Sequence, residues 1–382
     1  MIRFATFILV MLFQAACGLA VTVGFEVTVP ATTPPDSKIF LSGNTKSLGE
    51  WNGAGLELKR NDAGVYVANL SVSPDQSVEF KVTRGSWQTV EKQTDGSERE
   101  NRKLTPKSDQ TIKIKVQAWA DQLKNPATTR ASTRTGDIRL HPIRSKILDN
   151  RRNLWIYLPP EYEKHPDQRY PVFYMHDGQN LFDAATSFAG EWQADETAGR
   201  LINEKKIRPI IIVGIENNAQ RLAEYTPGRG ELYQRFVIQE AKPFIDANYR
   251  TLPDRANTAV GGSSLGGLIS LYLVKDHPDV FGSCAAISPA LWWKDRAIFT
   301  QLKSDANWMK RTRFWIDMGT DEAMHEPAKN VQDVNDLAAL LSSNGLVENK
   351  DFRLLIVEGG KHNEPAWAKR FDQVLEFFFK AE

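Results

Sequence analysis

Residues 257–281, NTAVGGSSLGGLISLYLVKDHPDVF, decide the fold of this chain. A short β-branched run ends in a cluster of glycines and serines, and an apolar segment with helical period follows. The pentapeptide Gly262-Ser263-Ser264-Leu265-Gly266 fits G-x-S-x-G between a strand and a helix, which is the context of a nucleophile elbow. Such a turn needs neighbours without bulk and holds its serine at a helix N-terminus, where negative charge is favoured. Ser264 is therefore the predicted nucleophile, although a glycine-rich turn can also serve packing alone.

The pattern of apolar residues after residue 138 predicts the fold of a whole domain around this turn. Apolar runs such as YPVFYMHDG, RPIIIVGIEN, RFWIDMG and FRLLIVEGG alternate with segments of helical period. Continuous apolar strands separated by helices indicate a mostly parallel sheet covered on both faces. The prediction is an α/β fold of the α/β-hydrolase type over residues 138–382. In such sheets the active groups gather at the carboxyl ends of the strands.

The region before it has a different pattern. Residues 24–118 contain short alternating strands separated by turn residues, which predicts a small all-β, antiparallel sandwich domain. Residues 119–137 are predicted to be a linker, because residues 124–137 are polar and Thr-rich and show no apolar period. The chain has 382 residues, 25% of them charged, with a formal net charge of +1. The chain therefore lacks the excess of basic residues that is typical of nucleic-acid-binding proteins.

Residues 1–20 are predicted to be a signal peptide. Arg3 precedes an apolar run from Phe4 to Phe13, which is too short to cross a hydrocarbon core of ~30 Å. The expected location is secreted or periplasmic, with no transmembrane segment in the mature chain. Cys17 raises lipid attachment as an alternative, but Gln14 stands where such sites usually carry an aliphatic residue.

Cysteine and metal chemistry is expected to be absent from the mature protein. The sequence contains two cysteines, Cys17 and Cys284, so removal of the signal leaves no internal disulfide. No Cys/His cluster has the spacing of a structural zinc site. We expect neither a metal nor an organic cofactor.

A serine nucleophile needs a base and an acid. Of the six histidines, His362 comes last, after the last apolar strand, where the order Ser, acid, His places the base. The run RFWIDMGTDE offers Asp317 within the strand and Asp321 and Glu322 after it. Spacing alone does not separate Asp321 from Glu322.

The oxyanion hole needs two backbone N–H groups. One is expected from Leu265, directly after the nucleophile, and the other from the loop in YMHDGQNLFD, at Gln179. The alternative for that loop is an ordinary Asp-Gly turn.

Several ordered segments together resemble one family. RNLWIYLPPEY, YPVFYMHDGQNLFD, EWQADE, EYTP, AVGGSSLGG, IDMGTDE and GGKHNEPAWAKR are similar to the esterase family of α/β-hydrolases that includes enterochelin, feruloyl and acetyl-xylan esterases and the mycolyltransferases. The resemblance implies Ser264 as nucleophile and His362 as base. The family's acid lies three residues after a glycine, which selects Glu322, with Asp321 as the runner-up.

The same resemblance suggests further site residues. Gln179 matches the oxyanion donor of the mycolyltransferases, and Trp192, Trp292 and Trp293 match positions near the substrate pocket. Large aromatic residues at strand ends are at least as often part of the core.

The first domain also has a resemblance. LSGNTKSLGEW, SVEFKVTRGSW and ENRKL are similar to starch-binding modules of family 20, which implies Trp51 and Trp87 as sugar-stacking platforms. The loop WQTVEKQTDGSERENR is longer than the usual pattern. The alternative is that both tryptophans serve packing.

The sequence therefore predicts a secreted serine esterase acting on carboxylic esters, with glycan-linked and siderophore esters as candidate substrates. One alternative is acyl transfer to a sugar hydroxyl, and another is a glycan-binding protein whose hydrolase domain is vestigial. Polysaccharide is a possible partner through the first domain.

Overall fold

The computed structural model describes residues 20–94, 96, 99–122, 131–187, 190–303, 307–322 and 327–381. Residues 1–19 of the predicted signal peptide and residues 123–130 of the predicted linker lie outside the described residues. The chain divides into two compact units, residues 1–120 and 121–382. Within the described ranges, none of the helices combines the length and the apolar character needed to span a membrane.

The first unit is all-β, which confirms the predicted class. Its main sheet has seven strands in the order β7-β5-β2-β3-β4-β1-β8, and β6 pairs with β9 in a second, two-stranded sheet. The strands are β1 (Val21–Thr28), β2 (Ile39–Gly43), β3 (Leu56–Arg60), β4 (Tyr66–Val72), β5 (Val78–Thr83), β6 (Glu91–Lys92), β7 (Arg102–Leu104), β8 (Gln110–Lys115) and β9 (Ala118–Trp119).

Alternation of buried and exposed residues explains these strands. In β1, Val21, Val23, Phe25 and Val27 are buried, and the residues between them are more exposed. Phe25 meets Phe80 of β5 edge to face, with ring centroids 5.2 Å apart. The antiparallel pattern expected for this domain is absent at one place, where β1 and β8 pair in parallel. A period of two is the same for both directions of pairing, so the sequence does not reveal this feature.

The second unit is built on an eight-stranded sheet in the order β10-β11-β13-β12-β14-β15-β16-β17. The pairs β10–β11 and β11–β13 are antiparallel, and all pairs from β13 to β17 are parallel. The predicted mostly parallel sheet is thereby confirmed. The strands are β10 (Asp137–Ser145), β11 (Asn150–Leu158), β12 (Val172–His176), β13 (Ile211–Ile215), β14 (Thr258–Ser263), β15 (Ser283–Ile287), β16 (Arg313–Gly319) and β17 (Phe352–Val357).

Helices cover both faces of this sheet. They are α1 (Ala194–Asn203), α2 (Arg221–Glu224), α3 (Arg229–Phe236), α4 (Lys242–Asn248), α5 (Leu265–Asp276), α6 (Trp293–Lys303), α7 (Pro327–Ser343) and α8 (Glu364–Phe379). Successive residues of β12 point to opposite faces: Tyr174 joins the cluster that contains α5, and Phe173 joins the one that contains α1 and α8. Because helices cover both faces of the sheet, every residue of strands β12 to β15 is buried.

Candidate active site

The turn between β14 and α5 has the backbone of a nucleophile elbow. Ser264 lies between the last residue of the strand and the first residue of the helix, with φ 58° and ψ −121°. An L-residue keeps such a conformation only when its surroundings hold it. Here the Ser264 N–H donates to Ile287 O at 3.0 Å, and Ser264 O accepts from Ala290 N at 3.0 Å. The serine is 9% exposed, at the carboxyl edge of the sheet.

Gly262 shows why the elbow needs glycine. A Cβ at this position would lie 3.2 Å from Gly266 Cα and 3.2 Å from the Cβ of His176. A side chain there would require the first turn of α5 or His176 to shift by a few tenths of an ångström. The close approach of the strand and α5 therefore favours glycine at position 262.

His362 follows β17 and contacts a buried carboxylate. Its Nδ1 lies 2.8 Å from Glu322 Oε2, and Glu322 is 1% exposed. Asp321 is exposed, and its N–H donates to Gly360 O at 3.0 Å. The structure therefore brings Glu322, and not Asp321, to the imidazole. A carboxylate accepts hydrogen bonds, so this contact assigns the proton to Nδ1 and leaves Nε2 as an acceptor.

The carboxyl group of Glu322 is held from its other side as well. Its Oε1 accepts hydrogen bonds from Gly319 N at 2.8 Å and from Ser288 Oγ at 2.5 Å. Burial disfavours its ionised form, but the interaction with His362 and the hydrogen bonds from Ser288 and Gly319 outweigh burial and lower the pKa of Glu322. The group is ionised and fixed in orientation.

A buried polar network lies behind Glu322, and the sequence pointed to Asp317 as a buried, hydrogen-bonded group but not to Ser288 or Arg370. Arg370 of α8 donates through Nη2 to Ser288 Oγ and to Asp317 Oδ1, each at 2.7 Å. Ser288 Oγ also accepts from Trp367 Nε1 at 3.0 Å. Burial raises the pKa of Asp317 despite the charge of Arg370. A signal was present in Arg370, a basic residue on the apolar face of α8 and eight positions after His362.

The loop after β12 forms a 3-10 turn over Gly178–Asn180. A Cβ on Gly178 would lie 2.4 Å from Gly214 C, so the loop packs directly on β13. Gln179 Oε1 accepts from Asn217 N at 3.2 Å. Because β12 and β14 are parallel neighbours, this loop and Leu265 lie at the same edge of the sheet. Leu265 begins α5, where the first N–H groups have no acceptor within the helix.

Asp177 anchors the start of that loop. It accepts two hydrogen bonds from Arg221, both at 2.7 Å, and one from Asn217 Nδ2 at 2.5 Å. Burial opposes its ionisation, but the charge and hydrogen bonds of Arg221 outweigh burial and lower the pKa of Asp177. Sequence reasoning also missed this pair, although Arg221 directly precedes the LAEYTP segment.

The three tryptophans predicted for the pocket are in different places. Trp192 is 2% exposed and stacks on Trp367 with ring centroids 5.5 Å apart, and Trp367 meets His362 edge to face at 5.0 Å. Trp192 thus belongs to the core behind His362 and not to an open pocket wall. Trp292 and Trp293 are half-buried, and they closely follow Ala290, which is hydrogen-bonded to Ser264.

The two tryptophans predicted for sugar binding lie together in the first unit. Trp87 Nε1 donates to Trp51 O at 2.9 Å, and the rings are 6.1 Å apart and tilted by 37°. Trp51 is 7% exposed and Trp87 is half-buried. Trp87 is therefore the better placed of the two to stack on a ligand.

An elbow at the edge of a mostly parallel, helix-covered sheet defines the second unit as an α/β-hydrolase fold. A family profile described as "Putative esterase" matches residues 145–378, and one described as "Starch binding domain" matches residues 20–115. The first match covers more than half of the chain, so the chain belongs to this esterase family. It is an ester hydrolase whose esterase domain is preceded in the sequence by a starch-binding type of domain. Both predicted resemblances are confirmed.

Individual relatives agree with this assignment. The endo-1,4-beta-xylanase/feruloyl esterase of Xylanibacter ruminicola is 26% identical over 234 residues, which is 59% of this chain and 29% of that protein. The ferri-bacillibactin esterase of Bacillus subtilis is 24% identical over 254 residues, 58% of this chain and 84% of that protein. The solved enterobactin esterase of Shigella flexneri is similar in fold, with a TM-score of 0.52 at 16% identity over 89% of this chain and 88% of that one.

Proposed function

We propose that Ser264, His362 and Glu322 are the catalytic triad of a secreted serine esterase. The observation that carries this proposal is the 2.8 Å contact between His362 Nδ1 and the buried, ionised Glu322, at the sheet edge that also carries the Ser264 elbow. An acid that fixes the imidazole tautomer leaves Nε2 as the base that a serine nucleophile requires.

Each residue then has a defined role in the reaction. His362 Nε2 takes the hydroxyl proton as Ser264 Oγ attacks the ester carbonyl, and Glu322 stabilises the imidazolium that forms. Collapse of the tetrahedral intermediate expels the alcohol, which receives its proton from His362. His362 then takes a proton from water, which attacks the acyl-enzyme. The acid product leaves, and Ser264 regains its proton from His362.

The negative charge on the carbonyl oxygen is assigned to two backbone donors. Leu265 N–H lies at the start of α5, and Gln179 N–H belongs to the tight turn that packs on Gly214. The pair of hydrogen bonds from Arg221 to Asp177 holds the entry to that turn. A fixed pair of donors at this position is typical of ester hydrolysis.

The substrate we propose is an ester group carried by a polysaccharide. The starch-binding type of domain, with Trp87 beside Trp51, supports a polymer as the ligand of the same chain. A feruloyl esterase among the relatives is consistent with an acyl group on a glycan. A siderophore ester is the second candidate, because the ferri-bacillibactin esterase matches over 84% of its own length.

The test compares release of acetate from granular acetylated starch with hydrolysis of soluble p-nitrophenyl acetate. Wild type is expected to act on both, and Ser264→Ala on neither. Trp87→Ala should lower release from the granules and leave the soluble ester unaffected, because it removes an aromatic face for sugar from the unit that carries none of the proposed triad. Circular dichroism should show that this unit stays folded without the hydrogen bond from Trp87 to Trp51. Equal granule activity of wild type and Trp87→Ala would contradict the polysaccharide proposal. Faster hydrolysis of a cyclic catecholate triester would favour the siderophore candidate.

A further inference from the structure

Three acidic residues form a cluster around the start of α1, apart from the triad. Glu191, Asp195 and Glu196 each bring one carboxylate oxygen within 4.8 Å of the others. Asp195 and Glu196 also line a cavity of about 630 Å³ together with Tyr157, which gives the cluster an entry path. Arg200 lines the same cavity but pairs with Glu204 at 3.5 Å.

The contacts of the cluster are with neutral groups. Thr133 Oγ1 donates to both oxygens of Glu191 at 2.9 Å, and Thr135 donates through N at 2.6 Å and through Oγ1 at 3.1 Å to Asp195 Oδ2. Arg134 pairs nearby at 3.0 Å, but with Asp183. Among the residues that the structure describes, no basic side chain forms an ion pair with Glu191, Asp195 or Glu196. In the described part of the chain, no cation therefore balances the charge that these carboxyl groups carry when they are ionised.

Two oxygens of the cluster are buried without a partner. Asp195 is 1% exposed, and its Oδ1 has no hydrogen-bond partner in the described part of the chain. Glu196 Oε2 is buried and unpartnered in the same sense, as is the hydroxyl of Tyr157. The carboxyl groups of Asp195 and Glu196 lie at hydrogen-bond range of each other, and neither of the two oxygens accepts from a donor of the described chain. Such buried oxygens are costly, so a proton or a cation between the two acids is required.

We propose that Glu191, Asp195 and Glu196 form a Ca²⁺ site. Carboxylate oxygens are the ligands that Ca²⁺ prefers, and the cluster contains neither imidazole nor thiolate, which transition metals would favour. Oxygens on opposite sides of Ca²⁺ lie about 4.8 Å apart, since each Ca–O distance is about 2.4 Å. The three ligand atoms lie within 4.8 Å of one another, so all of them can belong to the shell of one such ion.

Ca²⁺ at this site would affect a neighbouring aromatic pair. Glu191 directly precedes Trp192, which stacks on Trp367 at 5.5 Å. The fluorescence of this pair therefore gives a readout of binding that does not depend on catalysis. The site itself does not rest on the proposed triad, because none of its residues contacts Ser264, His362 or Glu322 through a described hydrogen bond or ion pair.

The experiment uses the whole chain after treatment with EDTA. CaCl₂ is added while Tm and tryptophan fluorescence are followed. At 100-fold excess over Kd, a ligand that binds only the folded state should raise Tm by about 5–10 °C. Glu196→Gln should fold, because its amide can donate to the neighbouring carboxylate of Asp195, and should lose the response to Ca²⁺. The control Glu231→Gln changes an exposed acid of α3 and should keep the full response.

The opposite result is equally clear. If Asp195 and Glu196 instead share a proton, wild type will show no saturable response to Ca²⁺. Burial, followed by the neighbouring Asp195, raises the pKa of Glu196 to about 8, so in that case the Tm of wild type but not of Glu196→Gln would fall as pH rises toward 8. That pattern would overturn the proposal, as would a Ca²⁺ response that Glu196→Gln retains.

Discussion

The substitution Glu322→Gln changes one atom of the site and has a consequence that the geometry fixes. Glu322 Oε1 accepts from Gly319 N at 2.8 Å and from Ser288 Oγ at 2.5 Å, so the amide oxygen of a glutamine must take this place. The amide NH₂ then faces His362 Nδ1 in place of Oε2, which lies 2.8 Å away in the native protein. A donor opposite Nδ1 forces the other imidazole tautomer, with the proton on Nε2.

The size of the effect follows from the loss of both functions of the acid. Nε2 can no longer accept the proton of Ser264, and no carboxylate stabilises the imidazolium. A wrong tautomer in a triad of this kind lowers kcat by about 10⁴. We expect a decrease of about 10³–10⁴ in kcat for Glu322→Gln, with little change in KM.

The assay is steady-state hydrolysis of p-nitrophenyl acetate by wild type, Glu322→Gln and Asp321→Asn. Asp321 is the matched control, since it is adjacent in sequence but exposed and contacts Gly360 only through its backbone. Asp321→Asn should stay within about twofold of wild type, as exposed carboxylates contribute little. Circular dichroism of each variant checks the fold.

Two results would refute this reasoning. If Glu322→Gln retained more than about a tenth of wild-type kcat, Glu322 would not be the acid of the triad. If Asp321→Asn lost most of its activity, the acid would be the exposed neighbour.

Three further predictions concern the surroundings of the proposed triad. Gly178→Ala should displace the Gln179 donor and lower kcat by about 10²–10³, because the new Cβ would lie 2.4 Å from Gly214 C. Activity close to wild type would exclude this loop from the oxyanion hole. Ser288→Ala should lower the free energy of unfolding in urea by about 1.5–3 kcal/mol, as it removes a hydrogen bond to the ionised Glu322; a change below 0.5 kcal/mol, roughly that of an exposed site, would speak against the network. Burial raises the pKa of Glu364 from 4.5 to about 7, so between these pH values the folded state binds more protons than the unfolded state. The free energy of unfolding should therefore fall by about 3 kcal/mol as pH rises from 4.5 to 8. Glu364→Gln should remove this loss in urea titrations at pH 5 and 8, and equal pH slopes for both proteins would contradict the assignment.

The parts of the fold that the sequence predicts are those with a local cause. The elbow at Ser264 is readable because a positive φ, a strand before it and a helix after it require a fixed pattern of small residues. The parallel sheet is readable because strands buried on both faces have continuous apolar runs. These signals lie within a few residues of the feature they specify.

The parts that the sequence does not reveal depend on the direction of the chain in space. Asp321 and Glu322 are adjacent, and only the path of the turn after β16 decides that Glu322 faces His362. Trp192 matched a pocket position, but its ring packs on Trp367 in the core. Ser288 and Arg370 are 82 residues apart, so their contact leaves no local pattern in the sequence.

The central claim is that Ser264 is the group acylated during hydrolysis. The most direct test is the intact mass of the protein after incubation with a fluorophosphonate, followed by identification of the labelled peptide. We predict one adduct per chain, located on Ser264, with labelling abolished in Ser264→Ala and strongly slowed in Glu322→Gln. An adduct on another residue, or undiminished labelling of Ser264→Ala, would contradict the account.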